Sequence, residues 1–137
     1  FATYGAVRAY MDAVVEQGRE NGFVATQYGR RRAVPELRSS NHIQRGFGER
    51  VALNMPIQGT AADVIKLAMV RVHDALKKEN LAARLIMQVH DELNFNVPLN
   101  EVEQVREIVV TEMQNAVHLS VPLIAECGVG NNWLNAH

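Results

Sequence analysis

The sequence predicts an α+β fold in which an antiparallel sheet, centred on one β-hairpin, is backed by long helices. Three observations predict it. Leu85 to Val89 and Leu93 to Val97 are two runs of strand-forming residues joined by His90, Asp91 and Glu92, which is the pattern of a hairpin. The stretches before and after this hairpin carry apolar residues at helical spacing, as helices lying on a core do. Val121 to Val129 then has strand composition, with Pro122 placing its start at a sheet edge.

Composition sets the frame. A chain of 137 residues, 47% hydrophobic and 21% charged, is long enough to fold around one core and is read here as a single domain, residues 1–137. Disorder, collagen-like sequence and repeat architecture are excluded by the same figures. Cys127 is the single cysteine, so no internal disulfide forms and a reducing compartment suits the chain. No Cys/His pair has zinc-site spacing, no apolar run is long enough for a membrane span, and the N-terminus lacks the pattern of a targeting signal. A cytoplasmic protein without a membrane partner is the expectation. The net charge of −1 divides unevenly, residues 1–50 carrying +3 and residues 51–137 carrying −4. One half therefore suits phosphates and the other a cation.

In chain order, Tyr4, Val7, Tyr10-Met11 and Val14-Val15 recur at helical spacing up to Gly22, so residues 3–21 read as an amphipathic helix with a buried stripe and a glycine C-cap. Residues 23–28 have strand composition and run into Gly29, Arg30, Arg31, Arg32 and Pro35, giving a short hairpin or loop that carries three arginines. Three adjacent guanidiniums suit phosphate oxygens, and equally a solvated, ion-paired face. Ser39-Ser40-Asn41 offers N-cap side chains for a helix to about Met55, where Pro56 is expected to force a kink or restart. A second helix follows from Ile57 to Glu79, capped by Asn80, with Ala61, Ile65, Ala68-Met69, Val72 and Leu76 as its buried stripe.

Across that joint Arg50, Asn54 and Gln58 recur every four residues and so lie along one side of the helix. Their donors match the purine N3 and pyrimidine O2 acceptors that every base pair presents alike in the minor groove. An ordinary solvent-facing stripe has the same spacing. In the hairpin, Leu85 to Val89 is apolar on both faces apart from Gln88, as a buried strand would be. At its bend His90, Asp91 and Glu92 crowd two acids together; an oxygen-seeking divalent cation such as Mg²⁺ suits Asp91 and Glu92 as ligands, and a plain solvated turn suits them too. Asn100 with Glu103 has the form of a capping box opening a helix from Glu101 to about Val117. Gly128-Val129-Gly130 precedes no helix, so no phosphate-cradling loop is expected there, and Trp133 is assigned to packing of the C-terminus.

Two long motifs carry a resemblance. Gln88-Val-His-Asp-Glu92-Leu93, preceded by Glu49-Arg50-Val-Ala-Leu-Asn54-Met-Pro-Ile-Gln58-Gly-Thr-Ala-Ala-Asp63 and by Tyr28-Gly-Arg-Arg-Arg32, closely resembles the C-terminal end of the family A DNA polymerases. The resemblance covers essentially the whole chain and matches in order and spacing. It implies a palm-like hairpin, Asp91 as the acid that ligates the catalytic metals, Glu92 beside it in a supporting role, and His90 near the primer terminus. Two Mg²⁺ ions would then serve in-line attack of the primer 3′-hydroxyl on a deoxynucleoside triphosphate (dNTP), as a replication or repair polymerase performs it. Arg50, Asn54 and Gln58 become contacts to the newly formed base pairs, and Arg30, Arg31 and Arg32 duplex or structural contacts. Asn94 stands where family members commonly carry an apolar residue.

The family's other metal-binding aspartate and its nucleotide-binding Lys, Arg and Tyr belong to upstream segments that this sequence does not contain. The expected partners are therefore primer-template DNA, dNTP and the remainder of the polymerase, and the chain alone is expected not to polymerise. Two rivals are a non-catalytic duplex-binding module, in which Asp91→Ala leaves extension intact, and a metal-dependent nuclease built on His90, Asp91 and Glu92, which would need further acids or a base within reach.

Overall fold

In a computed structural model, which describes residues 2–137, the order is helix α1 (Gly5–Asn21), strands β1 (Phe23–Ala25) and β2 (Arg31–Ala33), helix α2 (His42–Lys78), strands β3 (Arg84–Val89) and β4 (Glu92–Asn96), and helix α3 (Val102–Gln114), with 3-10 turns at Pro35–Arg38 and Leu99–Glu101. The α+β reading holds, as two separate two-stranded antiparallel sheets with helices. The chain forms two compact units divided between Ala61 and Ala62.

In the first unit α1 ends where Gly22 takes φ 80° and its N–H donates to the Gly18 carbonyl at 2.9 Å, the left-handed cap that glycine adopts without a Cβ penalty. β1 and β2 pair with Val24 opposite Arg32. Their connection turns at Gly29, φ 85°, and is pinned from inside: the buried Thr26 hydroxyl accepts the N–H groups of Tyr28 and Arg30. Val24, Val34, Leu37 and Ala52 form the core, with Val14, Val15, Val51 and Met55 packed on it. The α1 stripe is thus core only in its second half; Tyr4, Val7 and Tyr10 are exposed, because β1 and the first 3-10 turn meet the end of α1 near Gly18, where a Cβ would lie 2.9 Å from Leu37 Cδ1.

The first half of α2 belongs to the same unit. Asn41 Oδ1 accepts the N–H groups of Ile43 and Gln44 at 2.9 and 3.3 Å, so Asn41 is the N-cap that satisfies the first orphan donors. The expected break at Pro56 does not occur: α2 runs unbroken for 37 residues. Pro56 removes one ladder donor, but the helix is held around it by Ala52 in the core and by Thr60, whose hydroxyl bonds the Pro56 carbonyl and accepts the Gln27 N–H. One lost bond does not end a helix that is packed on both sides of the loss.

The second unit begins within α2. Its helix end is closed by Asn80 at φ 53° and by the Leu81 N–H donating to the Leu76 carbonyl, a Schellman-type finish. Val72, Leu76, Ala83, Val105 and Val109 form the core, with Phe95, Val97 and Ile108 against it. The strand β3 pairs with β4, Leu85 opposite Phe95 and Val89 opposite Glu92, with a bulge at Ile86. β3 is not the buried strand expected from its apolar run: Ile86 and Met87 are 56% and 42% exposed, since among the described residues its only strand neighbour is β4.

Two further expectations are corrected here. No side chain caps α3; instead of an Asn100–Glu103 box, the Glu101 carboxylate accepts the N–H groups of Ala82 and Ala83 at 2.9 and 3.0 Å, tying the loop before β3 to the start of α3. Residues 121–129 form no strand. The segment is held by the Ala125 N–H on Gln114 Oε1 and then folds back on itself: a Cβ at Gly130 would lie 2.6 Å from the Asn135 carbonyl carbon, and one at Gly128 would collide with the Ala136 carbonyl.

Candidate functional site

The β3–β4 turn consists of two residues, His90 and Asp91. His90 takes φ 53°, a left-handed conformation uncommon outside glycine, and its carbonyl accepts the Gln88 amide at 2.6 Å. Side chain and backbone together thus lock the sharpest point of the hairpin. Asp91 follows, exposed, and among the described residues no hydrogen bond or ion pair to its carboxylate is formed. A free carboxylate on a rigid turn fits a hard cation as one oxygen ligand. Among the described residues no group of three or more His, Cys, Asp or Glu that could hold a metal ion is found.

Glu92 is differently placed. Its Oε1 accepts the Trp133 indole N–H at 2.7 Å and its Oε2 faces His137 Nε2 at 2.6 Å. The other imidazole nitrogen, Nδ1, faces the Trp133 carbonyl at 2.6 Å, and the two rings meet edge to face, centroids 4.6 Å apart. Both ring nitrogens thus face acceptors, an arrangement that only the doubly protonated imidazolium satisfies in full. The electrostatics agree: the Trp133 indole, then His137, hold Glu92 down at about 2, and the Trp133 carbonyl, then Glu92, raise His137. The hairpin therefore carries one engaged acid beside one unengaged acid.

Trp133 was expected to serve only the packing of the C-terminus; its ring is 53% exposed and its N–H is spent on Glu92. Neither Trp133 nor His137 stands out as a partner of Glu92 in the sequence, 41 and 45 residues away. The available signal is their own spacing of four, which puts an indole and an imidazole on one side of a turn.

The remaining candidates lie in the first unit. Arg50, Asn54 and Gln58 are all exposed on α2. Arg50 borders a groove also lined by Pro35, Ser39, Ile43 and Phe47, in which Ile43 and Phe47 are exposed. Arg31 and Arg32 are exposed on β2 and Arg30 ends the preceding turn. The Arg31 guanidinium sits 4.5 Å from the Phe23 ring centroid, a cation–π contact that orders it without using its hydrogen-bond donors.

Comparison with known proteins bears on both patches. The sequence profile of DNA polymerase family A matches residues 1–135. DNA polymerase I of Caldicellulosiruptor bescii is 48% identical over 133 residues, 97% of this chain and 16% of that protein. DNA polymerase I of Deinococcus radiodurans is 50% identical over 135 residues, 98% of this chain and 14% of that protein. Among solved structures, the POL domain of Pol1 from M. smegmatis, in complex with DNA primer-template and dNTP, superposes with a TM-score of 0.95 at 47% identity, covering 99% of this chain and 24% of that one. The chain thus spans no more than about a sixth of the length of these curated relatives.

Proposed function

The chain belongs to DNA polymerase family A, and from that membership we propose that it is the C-terminal part of the polymerase domain of a DNA-directed DNA polymerase, all of residues 1–137 serving that one domain. The observation that carries the reading is Asp91: an exposed carboxylate, unengaged among the described residues, on a turn locked by His90 and Gln88. Asp91 would hold Mg²⁺ together with an aspartate supplied from outside this chain, and Glu92 would support it. When bound, the two cations supply charge stabilisation for the attacking 3′-hydroxyl and the leaving pyrophosphate. His90, beside Asp91 in the turn, would stand near the primer terminus.

Arg50, Asn54 and Gln58 present donors to the minor-groove acceptors common to all base pairs, a contact that checks pairing geometry without reading sequence. Arg30, Arg31 and Arg32 would meet duplex phosphates, where arginine forks bind best. The complex of the M. smegmatis neighbour with primer-template and dNTP supports DNA and dNTP as partners. No helix of the described residues is long and apolar enough to cross a membrane, and action on DNA in the cytoplasm is part of the proposal.

The test has two arms. The purified 137-residue chain with primed template, dNTP and Mg²⁺ should incorporate no nucleotide, because one aspartate does not hold two metals. In the complete polymerase, Asp91→Ala should lower extension by more than about a hundredfold, since even outer-shell partners of metal ligands are worth 10–100-fold. Extension by the isolated chain would refute the first arm. Unimpaired extension by Asp91→Ala, with DNA binding intact, would instead make this a duplex-binding module.

A further inference from the structure

The proposed function leaves unexplained why the acid beside Asp91 is tied to the far end of the chain. We propose that Trp133 and His137 are positioning residues, a clip that takes up both oxygens of Glu92 so that the hairpin offers Asp91 alone to divalent metal. The inference rests on the polymerase reading and on geometry. Glu92 is the first residue of β4 and follows Asp91 directly in the chain, so it is the acid nearest in sequence to the one that would take the cation. Two adjacent free carboxylates would compete for that cation and let its position vary.

The structure removes the competition. Trp133 Nε1 donates to Oε1 at 2.7 Å and His137 Nε2 to Oε2 at 2.6 Å, so each oxygen has a donor of its own. The clip is itself braced. His137 Nδ1 bonds the Trp133 carbonyl, the rings pack edge to face, and the Asn135 N–H bonds Asn132 Oδ1 at 2.9 Å. Gly128 and Gly130 admit the backbone of Asn135 and Ala136 where any Cβ would stand in the way. A tail folded this closely onto itself, with both donors directed at one carboxylate, is built to hold that carboxylate still. Outer-shell groups that fix the residues beside a metal ligand tune its site in this manner.

The experiment uses the complete polymerase with four variants. Trp133→Phe keeps the ring and removes the donor, His137→Ala removes ring and donor, His137→Gln keeps an N–H donor, and Asp91→Ala tests the underlying reading. Trp133→Phe and His137→Ala should lower kcat about tenfold with the KM for dNTP changed less than about twofold, and His137→Gln should recover most of the loss. A second readout is independent of turnover. With 5-fluorotryptophan incorporated, the Trp133 ¹⁹F resonance, assigned by its loss in Trp133→Phe, should stay in place on addition of Mg²⁺ and should move in His137→Ala. The clip is overturned if Trp133→Phe and His137→Ala extend DNA normally, if His137→Gln is as poor as His137→Ala, or if Mg²⁺ shifts the wild-type resonance, which would mean that Glu92 leaves the clip for metal. Loss of extension in Asp91→Ala with silent clip variants defeats the clip alone, whereas extension by Asp91→Ala defeats the polymerase reading beneath it.

Discussion

Asn94, on β4 opposite Met87, has a buried side-chain nitrogen that meets no partner at good hydrogen-bond geometry among the described residues, although its amide still helps, after Trp133 and His137, to hold the Glu92 carboxyl down. A buried, unpaired donor costs about 1–3 kcal/mol, and leucine keeps the same branched outline with two bulkier methyls in place of the amide's oxygen and nitrogen. Asn94→Leu is therefore expected to stabilise the chain by about 1 kcal/mol, read as a higher midpoint in urea with unchanged slope; a lower midpoint would show that the amide is engaged. The same residue scale marks what the sequence disclosed of the candidate site. Asp91 at a turn is legible because a short link between strand runs, read as His90 to Glu92, leaves little choice of place, although the turn itself is only His90 and Asp91 and Glu92 already belongs to β4. The engagement of Glu92 is not legible, because the hydrogen bonds from Trp133 and His137 depend on how the tail folds back, and no local pattern encodes a contact across more than 40 residues.

Helix α2 shows the same division for elements. Its start at Asn41 and finish at Asn80 follow from capping chemistry that acts within one turn, and both are readable. Its continuity through Pro56 is not, because the loss of one donor is local while the packing of Ala52 and the hydrogen bonds of Thr60 are tertiary. The strand expected at residues 121–129 fails for a related reason: strand composition is realised only where the segment actually pairs, and the end of this one lies against the backbone of Asn135 and Ala136 instead. Two glycines of α2 turn this into a measurement. A Cβ at Gly46 would touch only Arg50 Nη1, at 3.7 Å, whereas one at Gly48 would lie 2.9 Å from the Leu37 backbone nitrogen and 3.1 Å from the Glu36 carbonyl carbon. Gly46→Ala should therefore gain about 0.8–1.0 kcal/mol from helix propensity. Gly48→Ala should lose stability despite the same propensity gain, since overpacking against backbone typically costs about 1–3 kcal/mol. Equal effects in thermal melts would mean that the turn at Pro35–Arg38 yields to the new methyl.

At the scale of the whole molecule, apolar side chains lie in the open where a self-contained domain would cover them. Tyr4 at the start of α1, Val7 and Tyr10 on it, and Ile86 and Met87 on β3 are all exposed, and the expectation of a buried β3 failed because periodicity reports that a face is apolar without reporting what covers it. The chain spans no more than about a sixth of its curated relatives, and under the polymerase reading the remainder of the enzyme supplies the cover. Ile86 makes this testable, being the bulged residue of β3 and 56% exposed. Ile86→Thr keeps the β-branched shape and strand preference while replacing apolar surface with a hydroxyl. In the isolated chain the substitution should reduce binding of a hydrophobic dye and leave the melting temperature within experimental error. In the complete polymerase it should destabilise by about 1–3 kcal/mol, because the hydroxyl is then buried without assured partners. If instead both forms tolerate the change equally, Ile86 faces water in the enzyme as well, and that face of β3 stays uncovered in the finished enzyme.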